Sequence, residues 1–169
     1  MTRKIALISS AAAKYYPLLC ELIASVRAHP QSAQLAAIGV IDAGLTPDQR
    51  TALQADGCLV ADGLLPVPLT ERRLQGRAFL KACVSRPFIP DLFPNFDVYI
   101  WQDADTWLQD WSAIDLLVAG AEKSGLAVVP QVDRAYGKTM RISWFGPFPY
   151  RPRSFYYSNA RKAFNGKFA

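Results

Sequence analysis

Short apolar runs alternate along the chain with stretches whose apolar residues recur every three or four positions. Lys4–Ser9 reads as a first strand, followed over Lys14–Ala28 by Tyr15, Leu18, Leu19, Leu22, Ile23 and Val26 at helical spacing. Leu35–Ile41 is a second apolar strand, ending at Asp42. Thr46-Pro-Asp-Gln49 carries a helix start, with a Thr cap, Pro in the first turn and Gln at the capping-box position; that helix runs to about Ala55 and stops at Gly57. Cys58–Ala61 is a short third strand. After a loop over Asp62–Thr70, a helix is expected from about Glu71 to Ser85, ending before Pro87. Val98–Gln102 is a fourth strand, Asp110–Lys123 a further helix ended by Gly125, and Leu126–Val129 a fifth strand. Strands alternating with helices imply βαβ units, hence an α/β fold with a mostly parallel sheet flanked by helices.

This alternation stops after Val132, which suggests an α/β domain over residues 1–132 and a separate tail over 133–169. In the tail, Trp144–Tyr150 reads as a loop rich in Gly, Pro and aromatic residues, and Asn159–Phe164 as a short helix. Charge divides at the same place. Residues 1–133 hold 11 Lys and Arg against 14 Asp and Glu, whereas 134–169 hold eight basic residues and no acids, with 10 of the 20 aromatics. A basic aromatic tail suits an anionic surface or polymer. No apolar stretch approaches the roughly 20 residues of a membrane span. Cys20, Cys58 and Cys83 sit among apolar neighbours, lack metal or redox spacing and read as reduced core residues of a cytoplasmic protein. His29, the sole histidine, precedes Pro30 and reads as a helix-terminal surface residue.

The candidate chemistry lies at Val98-Tyr-Ile-Trp-Gln-Asp-Ala-Asp-Thr106, an apolar run that ends in two carboxylates, Asp103 and Asp105. Continued strand geometry would turn residues i and i+2 to one side and so aim both carboxylates at one cation. Open α/β sheets bind ligands beyond the carboxyl ends of their strands, and hard cations take carboxylate and phosphate oxygens. Asp-Ala-Asp-Thr also matches the opening motif of haloacid-dehalogenase phosphatases, but there the motif sits on the first strand. Here about a hundred residues precede it.

The segment Arg86 to Thr106 resembles the retaining family 8-type glycosyltransferases of the GT-A fold. These carry an Arg on a helix, a short connection, and a strand reading roughly Tyr-Leu-Asp-x-Asp. Val40-Ile-Asp-Ala-Gly-Leu-Thr-Pro-Asp-Gln-Arg50 resembles the same family's second strand and following helix. Together the matches cover about residues 4–130. The resemblance implies transfer of a hexose from a nucleotide-sugar donor to a saccharide or other hydroxyl acceptor, with retention. Asp103 and Asp105 would hold Mn²⁺ or Mg²⁺ on the donor diphosphate. Arg86 would contact the donor sugar or phosphate, and Ser9, Ser10 and Asp42 would line the donor pocket, with Arg86 and Asp103 nearest the chemistry. Lys81 is a weaker phosphate candidate. Relatives add a His ligand downstream of the Asp-x-Asp, and no His follows Asp105 here. The chain therefore reads as the donor-binding part with a remnant of the acceptor half. The rival expectation is a non-catalytic nucleotide-binding relic or a polyanion-binding protein.

Overall fold

A computed structural model describes residues 3–64, 79–129, 140–145 and 148–154. They fall in two compact units, Met1–Ala127 and Val128–Ala169. Unit 1 is an α/β layer structure. Its strands β1 (Ile5–Ala11), β2 (Leu35–Asp42), β3 (Leu59–Asp62) and β4 (Val98–Trp101) form a parallel sheet in the order β3-β2-β1-β4. The helices are α1 (Tyr16–Arg27), α2 (Pro47–Ala55), α3 (Phe79–Ser85), the single-turn α4 (Ile89–Leu92) and α5 (Ser112–Ser124).

Both sheet faces are covered, which is why the strands read as continuous apolar runs. Leu7, Val40 and Ile100 face α1 and α5 in the larger core, with Leu19, Leu22, Val26, Trp111 and Ile114. Ala6, Ile8 and Ile41 pack on the opposite face with Ile89 and Phe93. Gly39 allows that second layer to approach: a Cβ there would lie 2.6 Å from Ile8 Cδ1 and 2.9 Å from Phe93 Cε1. The start of α2 follows the sequence closely. The Thr46 side chain accepts from the Gln49 N–H, and the Gln49 side chain accepts in return from the Thr46 N–H.

Three elements differ from the sequence reading. Leu126–Val129 joins no ladder among the described residues, and Leu126, Val128 and Val129 are exposed. An apolar run becomes a strand only where a neighbour completes its backbone hydrogen bonds. Trp144–Tyr150 is not simply a loop, because unit 2 contains an antiparallel hairpin of β5 (Met140–Phe145) and β6 (Phe148–Ser154), irregular between Ile142 and Ser143. Its Pro149 and Pro152 are tolerated because both strands of a two-stranded ladder are edges. The helix expected from Glu71 to Ser85 is seen from Phe79 onward. Residues 71–78 and Asn159–Phe164 lie outside the described residues. Among the described residues, no helix is long and apolar enough to cross a membrane.

Candidate functional site

Strand order reverses beside β1. The chain steps from β1 outward through β2 and β3, then returns to place β4 on the other side of β1. In open α/β sheets, ligands bind beyond the carboxyl ends of the strands at such a reversal, here β1 and β4. Asp103 and Asp105 follow β4 into that region.

Arg86 arrives there because of two prolines. Pro87 ends α3 and starts a 3₁₀ turn over Arg86–Phe88, and Pro90 lies in the first turn of α4. The fully buried Ser85 anchors this junction. Its hydroxyl donates to the Lys81 carbonyl at 2.6 Å and accepts from the Leu64 N–H at 2.8 Å, tying the helix end to the segment after β3. Arg86 then projects to Asp103, its Nη2 donating to Oδ1 at 2.7 Å. Trp101 completes the contact. Its indole Nε1 donates to the same Oδ1 at 2.8 Å, and the guanidinium carbon lies 4.5 Å from the ring centroid. Arg86, Trp101 and Asp103 thus form a closed triangle of ion pair, hydrogen bond and cation–π contact.

The two carboxylates do not continue the strand. β4 ends at Trp101, and the Asp103 carbonyl accepts from the Thr106 N–H at 3.1 Å and from its hydroxyl at 2.6 Å, closing Asp103–Thr106 into a turn. The expected strand alternation is therefore replaced by a turn in which Ala104 is buried in the core and Asp103 and Asp105 are exposed. Among the described residues Asp105 has no hydrogen-bond or ion-pair partner, and Asp103 keeps Oδ2 unengaged. The loop beyond is pinned to α1. The Leu108 N–H donates to Ser25 Oγ at 3.0 Å, and the Leu108 carbonyl lies 3.2 Å from His29 Nε2. His29, expected at the surface, is half-buried and faces the Trp111 ring.

The remaining candidates occupy the same strand ends in other ways. Ser9 alternates with Leu7 and Ala11 into the larger core; it is 1% exposed, and its hydroxyl has no partner among the described residues. Ser10 donates to the Ile41 carbonyl at 2.8 Å, joining β1 to β2. Asp42 accepts from the Gly44 and Leu45 N–H groups, both at 2.7 Å, through Oδ1, and from Arg50 at 3.0 Å through Oδ2. Its carboxylate thus organises the loop after β2, in which Gly44 has a φ of 124°. Arg50 also pairs with Asp62 at the end of β3 and holds that carboxyl below the usual range, with a smaller contribution from Lys81. The sequence reading missed Trp101, Arg50 and Asp62. Trp101 belongs to the apolar run, and only its place at the last position of β4 hints at contact with the acids.

A cation fits this donor set in kind. Asp103 Oδ2 and the Asp105 carboxylate are hard, solvent-accessible oxygens, as Mg²⁺ or Mn²⁺ requires when substrate phosphates and water supply the other ligands. No group of three or more His, Cys, Asp or Glu residues suited to a metal occurs among the described residues. Among the described residues, a cation here would have these two carboxylates, with ligand and water oxygens able to supply other positions.

No protein-family model matches the chain, and no curated protein sequence is significantly similar to it. Among solved structures, it is similar to galactosyltransferase LgtC in complex with donor and acceptor sugar analogs, and to the LgtC active-site mutant Q189E. Each comparison gives 18% identity, a TM-score of 0.49 and coverage of 64% of this chain. The chain spans 41% of the length of those galactosyltransferase chains.

Proposed function

We propose that this chain carries the donor side of a metal-dependent glycosyl transfer, moving a hexose from a nucleotide-sugar to a hydroxyl acceptor. The observation that carries the reading is the Arg86–Asp103 pair seated on Trp101, next to the exposed Asp105, where strand order reverses. A nucleotide-sugar presents a diphosphate and a ring of hydroxyls. Two exposed carboxylates beside a guanidinium can serve both, the carboxylates through a shared Mn²⁺ or Mg²⁺ and the guanidinium directly. When bound, the cation supplies Lewis-acid stabilisation of the leaving diphosphate. Asp103 and Asp105 would hold it, and Arg86 would orient the phosphate or sugar. Ser10 and Asp42 shape the strand ends around the donor.

Calorimetric titration of the full chain with Mn²⁺ and a panel of nucleoside diphosphates tests this reading. Metal-dependent nucleotide binding that disappears in Asp105→Ala supports it. Absence of metal-dependent binding across the panel overturns it. Metal-independent binding that weakens steeply with salt assigns the affinity instead to the basic residues after Asp133, as a polyanion site. Donor hydrolysis then separates an enzyme from a nucleotide-binding relic.

A further inference from the structure

We infer that Trp101 is the positioning residue of this site, and that it makes binding of the cation and of the anion two separable functions of one indole. The inference rests on the donor-binding reading above. Trp101 touches both charged partners through different parts of its side chain. The edge acts on Asp103: Nε1 donates to Oδ1 at 2.8 Å, the oxygen that also receives Arg86 at 2.7 Å. With Oδ1 doubly engaged, the carboxylate's rotation is restricted, and Oδ2 has no partner among the described residues. The face acts on Arg86: the guanidinium carbon sits 4.5 Å from the ring centroid, which limits the side chain's conformers and shields one side from water. Trp101 is itself held by packing, half-buried against Ile8, Ile89 and Phe93, so the orientation is set by the core.

Groups that orient a metal ligand through its other oxygen commonly change metal affinity when removed. An aromatic face under an arginine affects the guanidinium's hold on an anion instead. The edge therefore governs the metal, and the face governs the phosphate or sugar.

The two arms can be separated by substitution in the full chain. Trp101→Phe keeps a ring face and removes the N–H, whereas Trp101→Leu removes both. The probes are Mn²⁺, followed by electron paramagnetic resonance, and the nucleoside diphosphate that binds best in the panel. Trp101→Phe should weaken the Mn²⁺-dependent part of nucleotide binding about tenfold while leaving metal-free nucleotide affinity within about twofold. Trp101→Leu should lose the metal-dependent part and also about threefold of the metal-free affinity. A second measurement needs neither ligand nor variant: in the wild-type protein, the Arg86 side-chain Hε and Hδ resonances, assigned through bonds from the backbone, should be shifted upfield by the indole ring current. Unshifted Arg86 resonances overturn the inference whatever the function. Metal-dependent binding in the wild type with an unchanged Trp101→Phe overturns the positioning role and leaves the donor-binding reading intact. Equal losses of both affinities in both variants would make Trp101 merely structural. No nucleotide binding in the wild type removes the reading and the inference together.

Discussion

Ser25→Ala probes the support of the acidic turn. Ser25 is 3% exposed within α1, and its hydroxyl does two things at once. It donates to the Leu22 carbonyl at 2.7 Å and accepts from the Leu108 N–H at 3.0 Å. Leu108 is 4% exposed, so its amide has no ready access to water once the hydroxyl is gone. A buried donor left without a partner costs about 1–3 kcal/mol. Alanine returns about 0.5 kcal/mol through its better helix propensity. The Leu22 carbonyl adds little, because it keeps the ordinary helical acceptor role. The net loss is therefore about 0.5–2.5 kcal/mol, or roughly 1–10 °C in melting temperature for a chain of this size. Thermal unfolding followed by far-UV circular dichroism measures it, and amide exchange at Leu108 should accelerate by more than the global loss. The effect on the site follows from the loop's path: Leu108 is three residues from Asp105, so freeing its amide loosens the support beneath the second carboxylate. A Ser25→Ala protein that melts within about 1 °C of wild type would refute the reasoning. It would mean that Leu108 finds another acceptor or lies open to water.

Three further perturbations test other parts of the structure. Ser9→Ala should leave the melting temperature unchanged or raise it, since the Ser9 hydroxyl is buried with no partner among the described residues and its removal relieves a desolvation cost of about 1 kcal/mol; a fall resembling that of Ser25→Ala would reveal a bonded hydroxyl. Gly39→Ala should destabilise by about 1–2 kcal/mol in urea titration, because Ile8 and Phe93, both buried, stand where the new methyl must go; Phe93→Leu should restore part of the loss. Arg50→Met tests the carboxylates at the ends of β2 and β3. Arg50 lowers the folded-state pKa of Asp62, so their pairing adds stability above the unfolded value near 4 and loses it as pH falls through the folded value. Melting curves between pH 7 and pH 2 should show Arg50→Met less stable at neutral pH, with the gap to wild type closing in acid. A gap independent of pH would show that the ion pair contributes nothing.

What was legible in the sequence was whatever local spacing controls. The periodicity of Leu19, Leu22, Ile23 and Val26 in α1, the capping box before α2 and the left-handed stop at Gly125 are each set within a few residues, and each appears where the pattern put it, whereas Tyr15, Leu18 and the expected core residue Cys83 are exposed. The β5–β6 pair is obscured because Pro149 and Pro152 resemble loop punctuation, and only cross-strand pairing shows that they belong to an edge. Leu126–Val129 failed in the opposite sense: its composition suits a strand, but the described structure gives it no ladder.

The site shows the same division more sharply. Asp103, Asp105 and Arg86 stood out as charges beside apolar runs, but the relation between them is tertiary. It depends on Pro87 breaking α3 at Arg86, on Ser85 fixing that break, and on parallel pairing of β4 with β1 bringing Trp101 beneath the guanidinium. Local pattern cannot reveal that an apolar strand residue donates a hydrogen bond to an acid two positions later, because indole carries both an apolar face and a donor edge. Asp42 shows what only the folded chain adds. Its place at the end of β2 made it a ligand candidate, yet Gly44, Leu45 and Arg50 already engage both its oxygens. A carboxylate fully engaged by its own chain shapes the loop around it, whereas the Asp105 carboxylate and Asp103 Oδ2 have no partner among the described residues. That distinction separates Asp42 from Asp103 and Asp105, and it requires the hydrogen bonds of the folded chain.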